Sequence, residues 1–225
     1  MDERRAGEFS EAHERAFHVA NGAQPIAPWK QVGRLFTDPR FAYRVIGKRI
    51  GLKVPLEVED RRVLERIIFP GIMASGNAHT VLFVGCDWYT RHYEAEFFKG
   101  ADFWTLEPDP AHRRYGARQH FTAPLEALAE HAGAMRFDVI ICNGVYGWGL
   151  DDRVQCETAF EQCRRQLRDG GLLVLGWDAI PARDPAPLSS IQSLQRFEPW
   201  EFPALGTSRY ETDTPYRHTY AFYRA

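Results

Sequence analysis

Apolar residues follow two rhythms along the chain. From Pro28 to about Gly76 they recur at helical spacing in interrupted segments: "WKQVGRLF", "PRFAYRVIGKRIGL" and "EVEDRRVLERIIF", the last expected to be broken by Pro70 and Gly71. In that last segment Val63, Ile67 and Ile68 are expected on one face, with charges on the other. From Thr80 short apolar runs alternate with helical patterns. Strands are predicted in "TVLFVG", "ADFWTLEP", "ARQHF", "FDVIICNG" and "GGLLVLGW". Helices are predicted between them in "TRHYEAEFF", "DPAHRRYG", "APLEALAEHAG" and "DDRVQCETAFEQCRRQL".

The centres of three of these strands, "VLFV", "DVII" and "LLVLG", are apolar at every position, as strands buried on both faces are. Strand and helix alternating at this interval predict parallel strands joined by right-handed crossovers. The alternation stops after Trp177. "FEPWEF" and "YRHTYAFYRA" are strand-like, and "PALGTSRYETDTP" between them has no helical pattern, so an antiparallel extension of the sheet is expected. The expected fold is α/β: a doubly wound, mostly parallel seven-stranded sheet with an antiparallel C-terminal strand and an N-terminal helical layer. Residues 1–76 would form a helical cap and residues 77–225 a Rossmann-like domain.

Composition narrows the function classes. A formal charge of −2 gives no general footprint for nucleic acid or an anionic membrane. Residues 30–66 are locally basic, with ten Lys/Arg against five acids, but interspersed as on a solvated face. The apolar runs are far shorter than the roughly 20 residues that cross a bilayer, and the start of the chain lacks a signal-peptide pattern, so a cytoplasmic protein without membrane partners is expected. The four cysteines form no Cys-x-x-Cys pair and are not grouped with histidines at zinc spacing, so neither a metal site nor a disulfide framework is expected. Cys156 and Cys163, seven apart on a predicted helix, read as core thiols.

In open parallel sheets, ligands bind at the carboxyl ends of the strands where strand order reverses. "TVLFVG" would be the strand beside that point. Gly85 at its end lets backbone approach a ligand, and Glu107, 20 residues after Asp87 at the end of the second strand, can accept hydrogen bonds from ribose hydroxyls.

These residues resemble the class I S-adenosylmethionine-dependent methyltransferases over about residues 79–225. That family's acid-x-Gly-x-Gly-x-Gly pattern aligns with Phe83-Val84-Gly85-Cys86-Asp87-Trp88-Tyr89, where only Gly85 is kept. Its ribose-binding acid falls on Glu107, its fourth-strand motif on "FDVIICNGVYGWG", its following helix and turn on "CRRQLRDGGLLVLGW", and its terminal antiparallel strand on "HTYAFYR". The resemblance implies S-adenosylmethionine as cofactor, held by Gly85, Cys86, Asp87, Tyr89, Glu107, Pro108, Asn143 and Gly144. Asp87 would meet its ammonium, and an aromatic ring would favour its sulfonium through cation–π attraction.

Methyl transfer needs chiefly proximity and alignment, so no catalytic motif is required. Trp88, Tyr93, Tyr146 and Trp148 are expected beside the methyl group as acceptor contacts, with Tyr43 from the N-terminal layer completing the wall. His92 is the candidate general base. Asn143 is followed by Gly-Val-Tyr instead of the Pro-Pro-Tyr of amino-methylating nucleic-acid enzymes, which together with the mild charge favours a small-molecule acceptor, methylated on oxygen or nitrogen. Two alternatives stand beside this: a methyltransferase-like binding or regulatory module, suggested by the missing glycines, and a nicotinamide-dependent oxidoreductase.

Overall fold

The structure, a computed structural model, describes residues 58–225. The helical segments expected upstream, with Tyr43 among them, lie outside the described residues. Helix and sheet fall within one compact unit, Leu56–Ala225.

The first described element is one continuous helical run. α1 (Glu59–Val63) carries Glu59 and Asp60 in its first turn, where the helix dipole favours acids. A π-helical turn (Leu64–Ile68) follows, closed by Phe69 N–H donating to Leu64 O, and α2 (Phe69–Ala74) continues the run. Pro70 does not break the helix as its residue type predicts. The widened π turn immediately before it relieves the clash of the proline ring with the preceding turn. The same turn rotates the buried face: Leu64, Ile68, Phe69 and Ile72 are buried, while Ile67, expected inside, is half-exposed.

The sheet runs β3-β2-β1-β4-β5-β8-β6, with β7 also paired to β8. β1 (Thr80–Val84) pairs in parallel with β2 (Asp102–Leu106) on one side and β4 (Phe137–Asn143) on the other, so strand order reverses there. β3 (Gln119–Phe121) and β5 (Leu167–Asp178) extend the parallel portion. β8 (His218–Arg224) runs antiparallel against β5 along its whole length. β6 (Glu198–Pro199) and β7 (Arg209–Glu211) pair with successive stretches of the other edge of β8, so among the described residues eight strands fill seven positions. β7 lies inside "PALGTSRYETDTP", too short to show a period.

Successive residues of the central strands point to opposite faces and build two cores. Leu82, Val84, Ile140, Cys142, Leu173 and Leu175 pack with α4 (Leu128–Ala132) and α5 (Arg153–Gln166). Val81, Phe83, Val139, Ile141, Val174 and Phe222 pack with the helical run before β1. Cys156 and Cys163 are buried on α5, as their spacing predicts. The helix expected over "TRHYEAEFF" shrinks to α3 (Tyr93–Glu96). Residues 88–92 form turns instead, because Thr90 returns both its N–H and its hydroxyl to Asp87 O, at 2.9 and 2.8 Å. No described helix is long and apolar enough to cross a membrane.

Candidate cofactor and acceptor site

The carboxyl ends of β1, β2 and β4 meet at the point where strand order reverses. Gly85, just past β1, has φ +86°, a conformation strained for any residue with a Cβ, and its N–H donates to Leu106 O at 2.9 Å. It therefore turns the chain across the end of β2. A Cβ there would also lie 3.1 Å from Val145 Cγ2 and 3.8 Å from the Asn143 carbonyl, so the turn abuts the end of β4.

Glu107 follows β2 directly. Cys86 N–H donates to its Oε2 and Asp109 N–H to its Oε1, both at 3.0 Å. Desolvation, with a smaller push from the Asp109 charge, raises the Glu107 pKa above the ordinary carboxylate value, although these two N–H groups and nearby His112 pull it down. An ionised carboxylate has about four lone-pair sites, so one on each oxygen stays open, which is the donor-accepting pair a ribose diol requires. His112 Nδ1 donates to Cys86 O at 3.0 Å, tying the 3₁₀ turn Pro110–Tyr115 back to the Gly85 turn. The spacing of His112 after Glu107 gives no signal of that bond in the sequence. Pro108 is exposed beside Glu107. The Cys86 thiol is buried and pushed up to about 12 by burial first and by Glu107, so it remains a neutral thiol.

Where the resemblance expects two further glycines, side chains hold the turn. Trp88 N–H donates to Asp87 Oδ1 at 2.6 Å and Asp87 N–H to Thr90 Oγ1 at 3.1 Å. Tyr89 lies under the guanidinium of Arg61, 4.3 Å from its ring centroid, and edge-on to Trp88. Arg61, on α1, is 6% exposed; its Nη1 donates to Tyr93 Oη at 3.3 Å, its Nε forms an ion pair with Asp60 Oδ2 at 3.7 Å without a hydrogen bond, and a Cβ on Gly144 would sit 4.0 Å from its Nη2. A basic residue before β1 thus reaches the end of β4, which sequence spacing alone does not reveal.

Two residues expected to line the acceptor pocket are core residues. Tyr93 is 2% exposed, its ring edge-on to Phe69 and Phe83 and its hydroxyl donating to Glu65 at 3.0 Å. Its place in α3 turns it inward, onto the sheet. Tyr146 is fully buried in the opposite core, its hydroxyl bonded to Asp184 Oδ1 at 3.0 Å and set against the Ala186 carbonyl, so it pins the loop after β5. His92 stands just before α3 with Nε2 buried and without a partner. Nε2 is therefore withdrawn from the solvent side, and only Nδ1 is left for a role as base.

Trp148 does reach the carboxyl edge: its Nε1–H donates to Asp178 Oδ2 at 3.1 Å, and Arg183 lies over its ring at 3.3 Å from the centroid. Asp178, the last residue of β5, also accepts from His218 Nδ1 at 2.7 Å. His218 opens β8, and because β8 is antiparallel its start lies at the carboxyl end of β5, where the two residues are paired. His218 Nε2 in turn meets Asn143 Oδ1 at 3.1 Å, and Asn143 Nδ2 is buried without a partner. Asp178 and His218 were missed from the sequence, although strand direction would have put them on one edge.

No protein-family profile matches this sequence, and no curated protein sequence matches it. Among solved structures the chain is similar to the N-methyltransferase NodS from Bradyrhizobium japonicum WM9 in complex with S-adenosyl-L-homocysteine, at 18% identity and TM-score 0.55, over 81% of this chain and 97% of that one. It is also similar to a TehB-like SAM-dependent methyltransferase from Corynebacterium glutamicum, at 16% identity and TM-score 0.50, over 69% of this chain and 86% of that one. The fold is that of the class I S-adenosylmethionine-dependent methyltransferases.

Proposed function

We propose that the protein is an S-adenosylmethionine-dependent methyltransferase that modifies an oxygen or nitrogen of a small molecule. The observation that carries this reading is Glu107: a carboxylate anchored by two backbone N–H groups at the strand-order reversal, beside the Gly85 turn, with one lone pair on each oxygen left for a diol. NodS, of the same fold, is described as an N-methyltransferase and is seen with S-adenosylhomocysteine.

The residues present fit that cofactor. Glu107 would accept from the ribose hydroxyls, and the backbone at Gly85–Asp87 and at Asn143–Gly144 would hold the aminoacyl end. When bound, the cofactor supplies an electrophilic methyl group on a sulfonium. The chain's contribution is alignment and exclusion of water, with Trp88, Tyr89 and Trp148 as acceptor-side surfaces. An acceptor held against such rings is a partly apolar small molecule in place of a nucleic acid.

A second reading, a binding module without transferase activity, draws on the turn at residues 86–90, where Asp87 spends a carboxylate oxygen on Trp88 N–H instead of leaving it free. Incubating the protein with S-adenosylmethionine and a panel of small amines, phenols and carboxylic acids separates the two. Release of S-adenosylhomocysteine that depends on an acceptor is the expected result. Tight binding of S-adenosylhomocysteine with no turnover of any acceptor would favour the binding module, and preferential binding of NADH would overturn both.

A further inference from the structure

Asn143, Asp178 and His218 come from three different strands and form a buried polar chain at the carboxyl edge, Asp178–His218–Asn143. Asp178 is further fixed by Trp148 Nε1–H, so its carboxylate accepts from two donors. Asn143 is 4% exposed and His218 3% exposed. A Cβ at position 176 would collide with Asn143 Oδ1, so the space for that amide arm exists because Gly176 lies beside it in β5.

The amide arms of asparagine are nearly the same size, and a half-turn about its Cβ–Cγ bond exchanges them without moving the chain. With Oδ1 toward His218, the ring must donate from both nitrogens, and the amide NH2 is left as a buried donor with no partner. With the arms exchanged, a neutral ring donates Nδ1–H to Asp178 and accepts an Asn143 N–H at Nε2. The unpartnered group is then a carbonyl oxygen, which costs less to leave buried than an N–H.

We infer that Asp178 and His218 are a positioning pair that holds the Asn143 side-chain carbonyl toward the ligand, where it accepts a hydrogen bond from the α-ammonium of the cofactor. The inference rests on the cofactor proposed above. It assigns the pair no contact with the transferred methyl: Asp178 sets the tautomer of His218, His218 sets the face of the amide, and only Asn143 touches the ligand. An ammonium donating to a carbonyl forms a charge-assisted bond, so the pair contributes to recognition of the aminoacyl end and not of the nucleoside.

Two measurements test it. Long-range 1H–15N NMR of the full chain without cofactor is expected to find His218 protonated at Nδ1 and bare at Nε2; a doubly protonated ring, or a proton on Nε2, overturns the inference. Calorimetry then compares S-adenosylhomocysteine with 5′-methylthioadenosine, which shares the nucleoside and lacks the amino-acid portion. His218→Phe is expected to weaken S-adenosylhomocysteine by about tenfold and methylthioadenosine by less than about twofold. Equal losses for both, as general loosening would give, or no loss for either, overturns it. If the native protein binds neither compound, the proposed cofactor fails instead, and the NMR result still reads the pair directly without depending on how the variant folds.

Discussion

Individual side chains explain how the Gly85 turn keeps its shape without the glycines that the family pattern supplies. The Thr90 hydroxyl bonds the Asp87 backbone N–H and carbonyl, the Asp87 carboxylate accepts from Trp88 N–H, and Arg61 covers Tyr89. If these residues serve the cofactor, Asp87→Ala should weaken S-adenosylhomocysteine in calorimetry, whereas tighter binding by a variant with both Asp87 and Tyr89 changed to Gly would mark an abandoned site. Another residue-scale expectation concerns acid stability. His120 on β3 contacts Thr105 Oγ1 at 2.8 Å, and burial, aided by Arg113, lowers its pKa to about 4 from an ordinary value near 6.5. The unfolded chain therefore takes up a proton that the folded one refuses between those two values. Stability should fall as pH drops from about 6.5 to about 4, by no more than about 1.4 kcal/mol per pH unit from this group, and level off below. Urea titrations of wild type and His120→Gln across that range should converge toward acid pH; parallel pH dependences would contradict the assignment. At this scale the sequence was legible where placement follows from position along a strand, as for Gly85 and Glu107 at the ends of β1 and β2. It was opaque where a role depends on which way a side chain turns, as for Tyr93 and Tyr146.

At the scale of elements, the helical run before β1 belongs to the sheet's core. Phe69, at the junction of the π turn and α2, touches Phe83, Tyr93, Phe97 and Phe98 with ring centroids 4.8 to 6.2 Å apart. Phe69→Ala should cost about 3–5 kcal/mol in chemical denaturation, because it leaves a cavity among groups too constrained to collapse. A loss below about 1 kcal/mol would mean that the run is not docked on the sheet. The order of strands and helices from Thr80 to Asp178 could be read from periodicity, since the central strands β1, β4 and β5 are buried on both faces and the flanking ones alternate with helical patterns. The π turn could not, because one residue added to a turn shifts the buried face without altering the residue types. β7 escaped because three residues carry no period, and α3 because the hydrogen bonds of Thr90 outcompete the helix its sequence would support.

For the whole molecule, the antiparallel β8 does two things. It closes the hydrophobic edge of β5, and by reversing direction it returns His218 to the carboxyl edge, where parallel strands deliver Gly85, Glu107, Asn143 and Asp178. Topology therefore gathers residues separated by up to 133 positions in sequence, Gly85 to His218, onto one edge of the sheet. That gathering is the basis for reading a cofactor site there. Within that site Glu107 is proposed to hold the ribose of S-adenosylmethionine or its product, and the most direct test is calorimetric titration of S-adenosylhomocysteine into wild type and Glu107→Ala. The wild-type protein should bind with a dissociation constant on the order of micromolar, and the variant about tenfold or more weaker, since two charge-assisted hydrogen bonds are lost. No binding by the wild type, or a variant within about threefold of it, would contradict the account.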